Sequence, residues 1–288
     1  MRTGHIRTIL AVSLLCVTWP LHTANAQTVD DGQSAIEAGK QAANPLSSQW
    51  LLQIQQNSTW IDMPSEGDAR LQSNLQIQPL LSLKFTDNWN LIMRPVVPVA
   101  STPYVDSSGH GERAIGLGDT VFAAALSPGP AKAGNWLLAA GATSVFPTAT
   151  ESTLGQDKWQ LGPSGAVGYA GTHFLTYVFP QQWFSIGGDG PRTSQMNLQY
   201  AFVYFLSNGW SVGTNPAAQI DWKAPDGDKV AFPIGLQIGK VRTLGRLPVK
   251  FDAQVQYYVA RPDVHGPKWN LQFTITPVIP SPSTSPLF

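Results

Sequence analysis

Lys268-Trp269-Asn270-Leu271-Gln272-Phe273-Thr274-Ile275-Thr276 alternates without a lapse, large and apolar on the odd positions, polar on the even ones. A period of two marks a β-strand with one greasy face and one wet face. The same pattern runs through 75–85 with one lapse at Leu80, and through 196–206 with the large residues on even positions. It recurs in 249–259, whose second face carries Lys250, Asp252, Gln254 and Gln256. Turn signals separate these segments: Thr86-Asp87-Asn88 leads from Phe85 to Trp89, and Asn208-Gly209 is a strong hairpin signal between Leu206 and Trp210. Longer polar stretches fall at 103–113, 147–157, 187–195, 224–228 and 261–267, and they alternate with the short connections.

Extended along the chain, the pattern predicts twelve strands, at 48–58, 71–85, 89–100, 115–127, 134–146, 158–169, 173–186, 196–206, 210–222, 229–240, 248–260 and 268–279. Ten or fourteen remain compatible with it, because the Ala/Gly-rich segments 115–127 and 134–146 alternate weakly. Pro79 and Pro95 fall inside expected strands and remove ladder donors there. Local bulges are the only account of them that the pattern offers.

Only 12% of the residues are charged, 10% are aromatic, and ten are Trp. Mean hydropathy is nevertheless close to zero, and no run of 18 apolar residues follows the N-terminus, which excludes a helical membrane protein. Averages that cancel in this way suit an all-β fold, a transmembrane antiparallel up-and-down β-barrel whose lipid face is apolar and whose lumen is polar or small. Short periplasmic turns, longer extracellular loops and an even strand count place both ends in the periplasm. Trp50, Trp60, Trp89, Trp136, Trp159, Trp183, Trp210, Trp222 and Trp269 lie near strand ends, as interfacial girdles would. A soluble β-sandwich or lipocalin-like barrel would turn more charge outward than this chain has.

Arg2 and Arg7 precede a short apolar run at 9–17, and Ala24-Asn25-Ala26 gives a small-x-small cleavage pattern. Residues 1–26 therefore read as a secretory signal peptide, too short in its apolar run for a membrane anchor. Cys16 has Leu14 and Leu15 before it, not the small residues of a lipoprotein signal. Removing 26 of 288 residues leaves 262, without cysteine, in which 16 basic side chains face 18 acidic ones. No disulfide can hold that chain, and no basic cluster invites nucleic acid. Residues 27–47 form a periplasmic N-terminal segment that does not alternate. A short helix at 34–43, a mobile segment or one reaching into the lumen all remain open. The barrel occupies 48–280, and 281–288 is a Pro/Ser-rich tail.

Several short stretches, in order, carry a resemblance: Trp89-Asn90-Leu91-Ile92, Gly116-Leu117-Gly118-Asp119, Phe146-Pro147-Thr148-Ala149-Thr150, Lys158-Trp159-Gln160-Leu161-Gly162-Pro163, and Arg261-Pro262-Asp263 before Trp269. Together, over roughly 45–280, they resemble the bacterial outer-membrane proteins named for the meta pathway of phenol degradation, a group loosely related to barrels that admit hydrophobic compounds. The resemblance implies passage of aromatic compounds by association. The tail after Pro280 departs from the group. It leaves the aromatic assembly signal to Trp269, Leu271, Phe273 and Ile275 rather than Phe288.

Parity within each strand turns Lys84, Arg94, Asp119, Asp221, Lys250 and Asp252 inward, as putting a charge at the lipid midplane would cost about 2–4 kcal/mol. They are the expected lumen-lining residues, either pairing across the lumen or lining a path, with Asp119 foremost. Twelve strands leave more room than eight, and small inner-face residues at Gly162, Ser164, Ala166 and Gly168 add to it. Tyr177 and Phe179 beside Pro180 suggest a kink or lateral opening. His110, His173 and His265 show no metal-ligand spacing. Ser107-Ser108-Gly109-His110-Gly111-Glu112 offers a superficial Ser/His/acid set in a loop. Gly116-Leu117-Gly118 has no helix after it to make a nucleotide loop.

The expected function is passive uptake of small, hydrophobic or aromatic compounds across the outer membrane of a Gram-negative bacterium, without catalysis or cofactor. The partners would be lipid, the barrel-assembly machinery and the solute, with a monomer by default. The alternatives are a non-conducting structural or ligand-binding barrel and, more remotely, a barrel-embedded hydrolase.

Overall fold

Alternation becomes register once neighbouring strands pair. The structure, a computed structural model, describes residues 30–62, 69–263, 265–282 and 285–287, so the expected signal peptide lies outside it. After helix α1 (Asp30–Ala43) come β1 (Trp50–Asp62), β2 (Ala69–Thr86), β3 (Trp89–Val105), β4 (Gly111–Leu117), β5 (Thr120–Pro128), β6 (Trp136–Phe146) and β7 (Trp159–Ala170). They are followed by β8 (Phe174–Gly187), β9 (Ser194–Phe205), β10 (Trp210–Thr214), β11 (Ala217–Asp221), β12 (Val230–Leu244), β13 (Leu247–Ala260) and β14 (Pro267–Ile279).

Two of the expected strands are broken. β4 and β5 both pair with β3, and β10 and β11 both lie between β9 and β12. Each couple is one interrupted stave, so the sheet has twelve staves. β1 pairs with β14 from Trp50↔Ile279 to Ile61↔Pro267 and closes the ring. The fold is a closed antiparallel barrel of twelve staves, as the alternation predicts.

Large apolar side chains remain exposed around the outside, among them Ile54, Ile77, Val99, Leu138, Val167, Val178, Ile238, Val255, Phe273 and Ile275. A soluble protein would bury such a continuous belt, whereas a bilayer covers it. Aromatics cluster at both rims. Trp136 meets Tyr169 edge-on at 5.4 Å, and Lys240 sits over Trp210, at the short-turn end. Tyr257 packs on Trp269 at 4.7 Å, and Phe146 on Trp159 at 5.5 Å, at the long-loop end. Trp183 is a correction to the expected girdle. Its indole N–H donates to Thr143 Oγ1 at 3.0 Å, and Thr143 is buried inside the barrel. Its parity matches that of the inward-facing Tyr177, Phe179 and Gln181.

The hairpin at Asn208-Gly209 has positive φ at both residues (57° and 73°), the type I′ signature, and Leu206 N–H closes it on Trp210 O at 2.8 Å. The strand prolines find an account other than a bulge. β2 and β3 pair at Ile77↔Val97 and again at Leu81↔Met93, with no ladder pair between. That register sets Pro79 directly opposite Pro95. Neither has an N–H, so one hydrogen-bonded pair loses both of its bonds, and four residues of seam, about 13 Å, go unbridged. At the expected opening near Pro180, β8 pairs with β9 without a break from Phe174↔Tyr204 to Phe184↔Ser194, while its ladder with β7 keeps one register but has no pairs at 162–163 and 165–166, beside Pro163 and opposite Pro180.

Helix α1 answers the question left open by residues 27–47. It docks inside the short-turn end of the barrel. Ile36, Ala43 and Leu46 pack on a lumenal cluster of Ala123, Leu137, Ala166, Leu175, Tyr177, Phe179, Ala201, Val203 and Phe205. Ala42 and Leu46 pack on a second one, of Leu51, Leu80, Ile92 and Val278. Ala166, expected to leave space on the inner face, is covered by this packing, and Ser164 is buried as well. The tail crosses the same end without forming a strand: Ser281 Oγ donates to Ser82 O at 3.2 Å, and Leu287 N–H to Lys84 O at 3.0 Å.

Candidate functional site

The lumen has two unlike sides. β5 to β9 line one with small, apolar and aromatic residues, and Trp183 lies above Tyr177 and Phe179 toward the mouth. β12, β13, β14, β1 and β2 line the other with amides and hydroxyls. Inward-facing Gln237, Gln254, Gln256, Asn270, Thr274, Thr276 and Gln78 are all buried there. Amides that face inward cost little if they bond to one another, and many do: Gln256 donates to Gln272 at 3.1 Å, and Thr59 to Asn270 at 3.0 Å. Not all are satisfied. Both ends of the Gln254 amide, Gln237 Oε1, Ser211 Oγ, Asn74 Oδ1, Ser164 Oγ and Arg94 Nε are buried without a hydrogen bond.

Of the six expected lumen-lining residues, Arg94 spans the waist. From β3 its guanidinium donates to Gln199 Oε1 at 3.2 Å on β9, nearly diametrically opposite, and also to Gln78 and, at 3.5 Å, to Gln53. Asn215 Oδ1 then accepts from Gln199 Nε2 and from the Tyr177 hydroxyl, both at 3.0 Å. This bolt joins five staves, β1, β2, β3, β8 and β9, and the β10–β11 break. It contains no carboxylate: Arg94 forms no ion pair among the described residues.

Lys250 and Asp252 do pair, two residues apart on the inner face of β13, with side chains 2% and 10% exposed. Gly239 makes room for them. A Cβ there would lie 2.3 Å from Asp252 Oδ1 and 2.5 Å from Ser211 Oγ. Gln237 also donates to Asp252.

Asp221 stands at the long-loop mouth, where it accepts from Gln195 Nε2 at 3.2 Å and from its neighbour Lys223 N–H at 2.9 Å. Lys84 and Asp119 depart from the expected passage. Lys84 pairs with Asp87 of the β2–β3 turn at 3.0 Å, at the short-turn rim. Asp119 sits in the β4–β5 break, where the register against β3 slips by one, so strand parity no longer governs it. Its carboxylate accepts Ala149 N–H at 3.2 Å and Gln156 N–H at 2.8 Å and clasps the loop after β6.

That loop, with the loops after β8 and β11, encloses a cavity of about 470 Å³ at the mouth. Its floor is a relay: Thr193 donates to Gln160 at 2.9 Å, Gln160 to Gln156 at 2.9 Å, Gln156 to Gln195 at 3.1 Å, and Gln195 to Asp221. Arg192, Lys223 and Asp157 line it as well. Only Asp221 among these was expected from sequence; the rest lie in loops, which carry no alternation, or read as strand polar residues. Lys158, buried beside the cavity, donates to Gly188 O across two of the loops.

The Ser108/His110 set forms a loop cap. Ser108 Oγ lies 2.7 Å from Asp106 Oδ1 and 2.8 Å from His110 Nδ1, and Asp106 Oδ1 also accepts the N–H groups of both residues. The acid bonds the serine rather than the imidazole, unlike the order of a hydrolase triad. No group of three or more His, Cys, Asp or Glu side chains placed to hold a metal occurs among the described residues.

No protein-family model matches the chain, and no curated protein matches it. Solved structures do. The COG4313 outer membrane channel from Pseudomonas putida F1 superposes with a TM-score of 0.60 at 16% identity, over 80% of this chain and 94% of that one. The NanC porin gives 0.49 at 8% identity over 79% and 98%, and the transport unit of the autotransporter AIDA-I from Escherichia coli 0.46 at 12% over 88% and 99%. At such identities the first likeness is one of fold, and the fold it shares is that of an outer-membrane channel barrel.

Proposed function

We propose that this chain is an outer-membrane channel for passive uptake of small solutes, aromatic compounds foremost, and that α1 is its stopper. One observation carries the reading: the long-loop end opens into a cavity, while a helix seated mainly through small residues stops the other end. A barrel built only to stiffen a membrane gains nothing from a removable-looking stopper beneath an open mouth. Aromatic solutes are favoured by Trp183 on the inner wall, by Tyr177 and Phe179, which α1 covers while it is seated, and by the resemblance to the phenol-degradation group. Bilayer lipid and the barrel-assembly machinery are the implied partners, and a signal peptide at 1–26 the route of export. Catalysis is not part of the proposal. Turnover of an ester or phospholipid by the purified barrel would overturn that.

The test is uptake of labelled phenol by proteoliposomes, compared with empty liposomes and with protein lacking residues 27–47. Uptake above empty liposomes, raised by the truncation, is expected; none in either protein sinks the reading. The alternative, a non-conducting barrel, is favoured by the Arg94 bolt across the lumen. It would be upheld by truncated protein that stays folded yet passes neither phenol nor ions.

A further inference from the structure

We infer that the mouth cavity is a capture site for a small hydroxylated organic acid, with the carboxylate taken by Arg192 and Lys223 and passed inward to Arg94. The inward step rests on the channel reading; the capture site does not.

The cavity is held in shape. Asp119 ties one loop to the β4–β5 break, Lys158 bridges to Gly188, and Thr193 N–H donates to Ser185 Oγ at 3.1 Å. The loops also touch closely: a Cβ on Gly190 would sit 2.2 Å from Gln156 O. Site and floor thus exist before a solute arrives, which lowers the entropy cost of binding.

Its charges are not equivalent. Both oxygens of Asp221 are engaged by N–H donors, from Gln195 and the Lys223 backbone. Asp119 is likewise spent on two backbone N–H groups. Asp157, exposed on the rim, is the remaining carboxylate of the lining. The guanidinium of Arg192 and the ammonium of Lys223 have no protein acceptor among the described residues. A guanidinium fork matches a carboxylate in two parallel hydrogen bonds. The amide relay of the floor offers both donors and acceptors, which suits hydroxyl groups. Trp183 is the cross-strand neighbour of Gln195 and adds an aromatic surface just beneath the floor.

The route inward keeps the same preference. Lys250 is neutralised by Asp252, which leaves Arg94 as the charge at the waist without a counter-charge, its Nε buried and unbonded. An anion leaving Arg192 and Lys223 therefore meets a single positive group next, whereas a cation meets a barrier.

The purified full barrel in detergent is titrated calorimetrically at low salt with 4-hydroxybenzoate and with 4-hydroxybenzyl alcohol, a neutral match in size. The acid should bind roughly tenfold more tightly, with the preference fading in 0.5 M salt. Arg192→Gln/Lys223→Gln, both in exposed loops, should bring the two solutes within about twofold of each other while the unfolding temperature stays put. Equal binding of acid and alcohol, no binding of either, or a preference that survives the double substitution would overturn the capture site. Arg94→Gln should leave the binding preference intact and reduce uptake of the acid relative to the alcohol in liposomes. Unchanged relative uptake removes the inward step. Uptake of neither solute by any variant, with binding intact, would count against the channel and not against the capture site.

Discussion

Replacing Gly39 by leucine should open the barrel. A Cβ at Gly39 would lie 3.2 Å from two carbons of the Phe205 ring and 3.4 Å from Val241 Cγ2, so even the first added atom presses on the wall. Leucine adds three more carbons, and overpacking of this kind costs about 1–3 kcal/mol. The docking it opposes is modest. Ala42 is fully buried, and Ile36, Ala43 and Leu46 are partly buried. At about 25 cal/mol per Å² these contribute roughly 3–4 kcal/mol, an upper bound. Lys40 pairs with Glu37 within the helix and reaches the wall only through a long 3.5 Å hydrogen bond to Gly171 O, so it adds little to docking. Leucine also raises helix propensity by roughly 0.8 kcal/mol, but that acts alike on the docked and the undocked helix and leaves the clash unopposed. The undocked population should rise about 5- to 150-fold. Planar-bilayer recordings would show this as more frequent or longer openings, with sheet content by circular dichroism as the check on folding. The converse variant pins the helix. Ala35 Cβ and a Cβ built on Gly209 are 3.3 Å apart, near the spacing of a disulfide, so Ala35→Cys/Gly209→Cys should hold the barrel shut until reduced, at the cost of backbone strain from a side chain at φ 73°. A folded Gly39→Leu barrel with wild-type currents, together with a pinned barrel that conducts like its reduced form, would refute α1 as the stopper.

Asp252→Asn leaves Lys250 without its counter-charge in a buried wall, and should lower stability by about 3–5 kcal/mol in denaturant unfolding. Lys250→Met/Asp252→Leu should recover most of that loss, whereas Gly239→Ala should resemble Asp252→Asn because its methyl displaces the carboxylate. Asp119→Asn keeps at most one of the two clasping acceptors, at a local cost of about 1–3 kcal/mol. Amide exchange at Ala149 and Gln156 should quicken while the strands stay protected. The Asp106 carboxyl is held below its ordinary value by the Ser108 hydroxyl and then the His110 N–H. A carboxyl depressed in the folded state contributes above its unfolded pKa and loses that contribution as pH falls through the folded value. The cap over 106–110 should thus stay ordered near pH 4 and loosen only below it, as read from amide exchange at Gly109 and His110.

The staves were legible because lipid outside and water or amides inside impose a period of two on every strand, and strand ends at Trp89, Ala260 and Ile279 fall where that period stops. The two breaks were not. A bulge at Gly118-Asp119 keeps the residue types of an alternating strand while shifting their facing, which is why Asp119 was assigned to the passage. Arg94 was placed in the lumen by parity alone, but its partner Gln199 lies 105 residues away and meets it only after the ring closes. The seat of α1 left no mark because Ala35, Gly39 and Ala42 dock by being small. The mouth cavity is built from loop residues, whose chemistry becomes specific only when three loops converge. Trp183 was recoverable, since it shares its parity with Tyr177 and Phe179 rather than with the outward Val178 and Phe184.

The facing prolines at 79 and 95 have a further effect on what happens when the ring is not whole. A closed barrel has no free edges, but one that parts at a thinly bonded seam acquires two, and an exposed strand edge ordinarily recruits another chain. Along the parted β2–β3 seam each edge would carry a proline at its centre. An incoming strand would find no donor there on either side. The same pair of residues that weakens the wall locally thus makes the opened wall a poor template for self-association, so that a barrel caught half-assembled would more readily re-close on itself than pair with its neighbour.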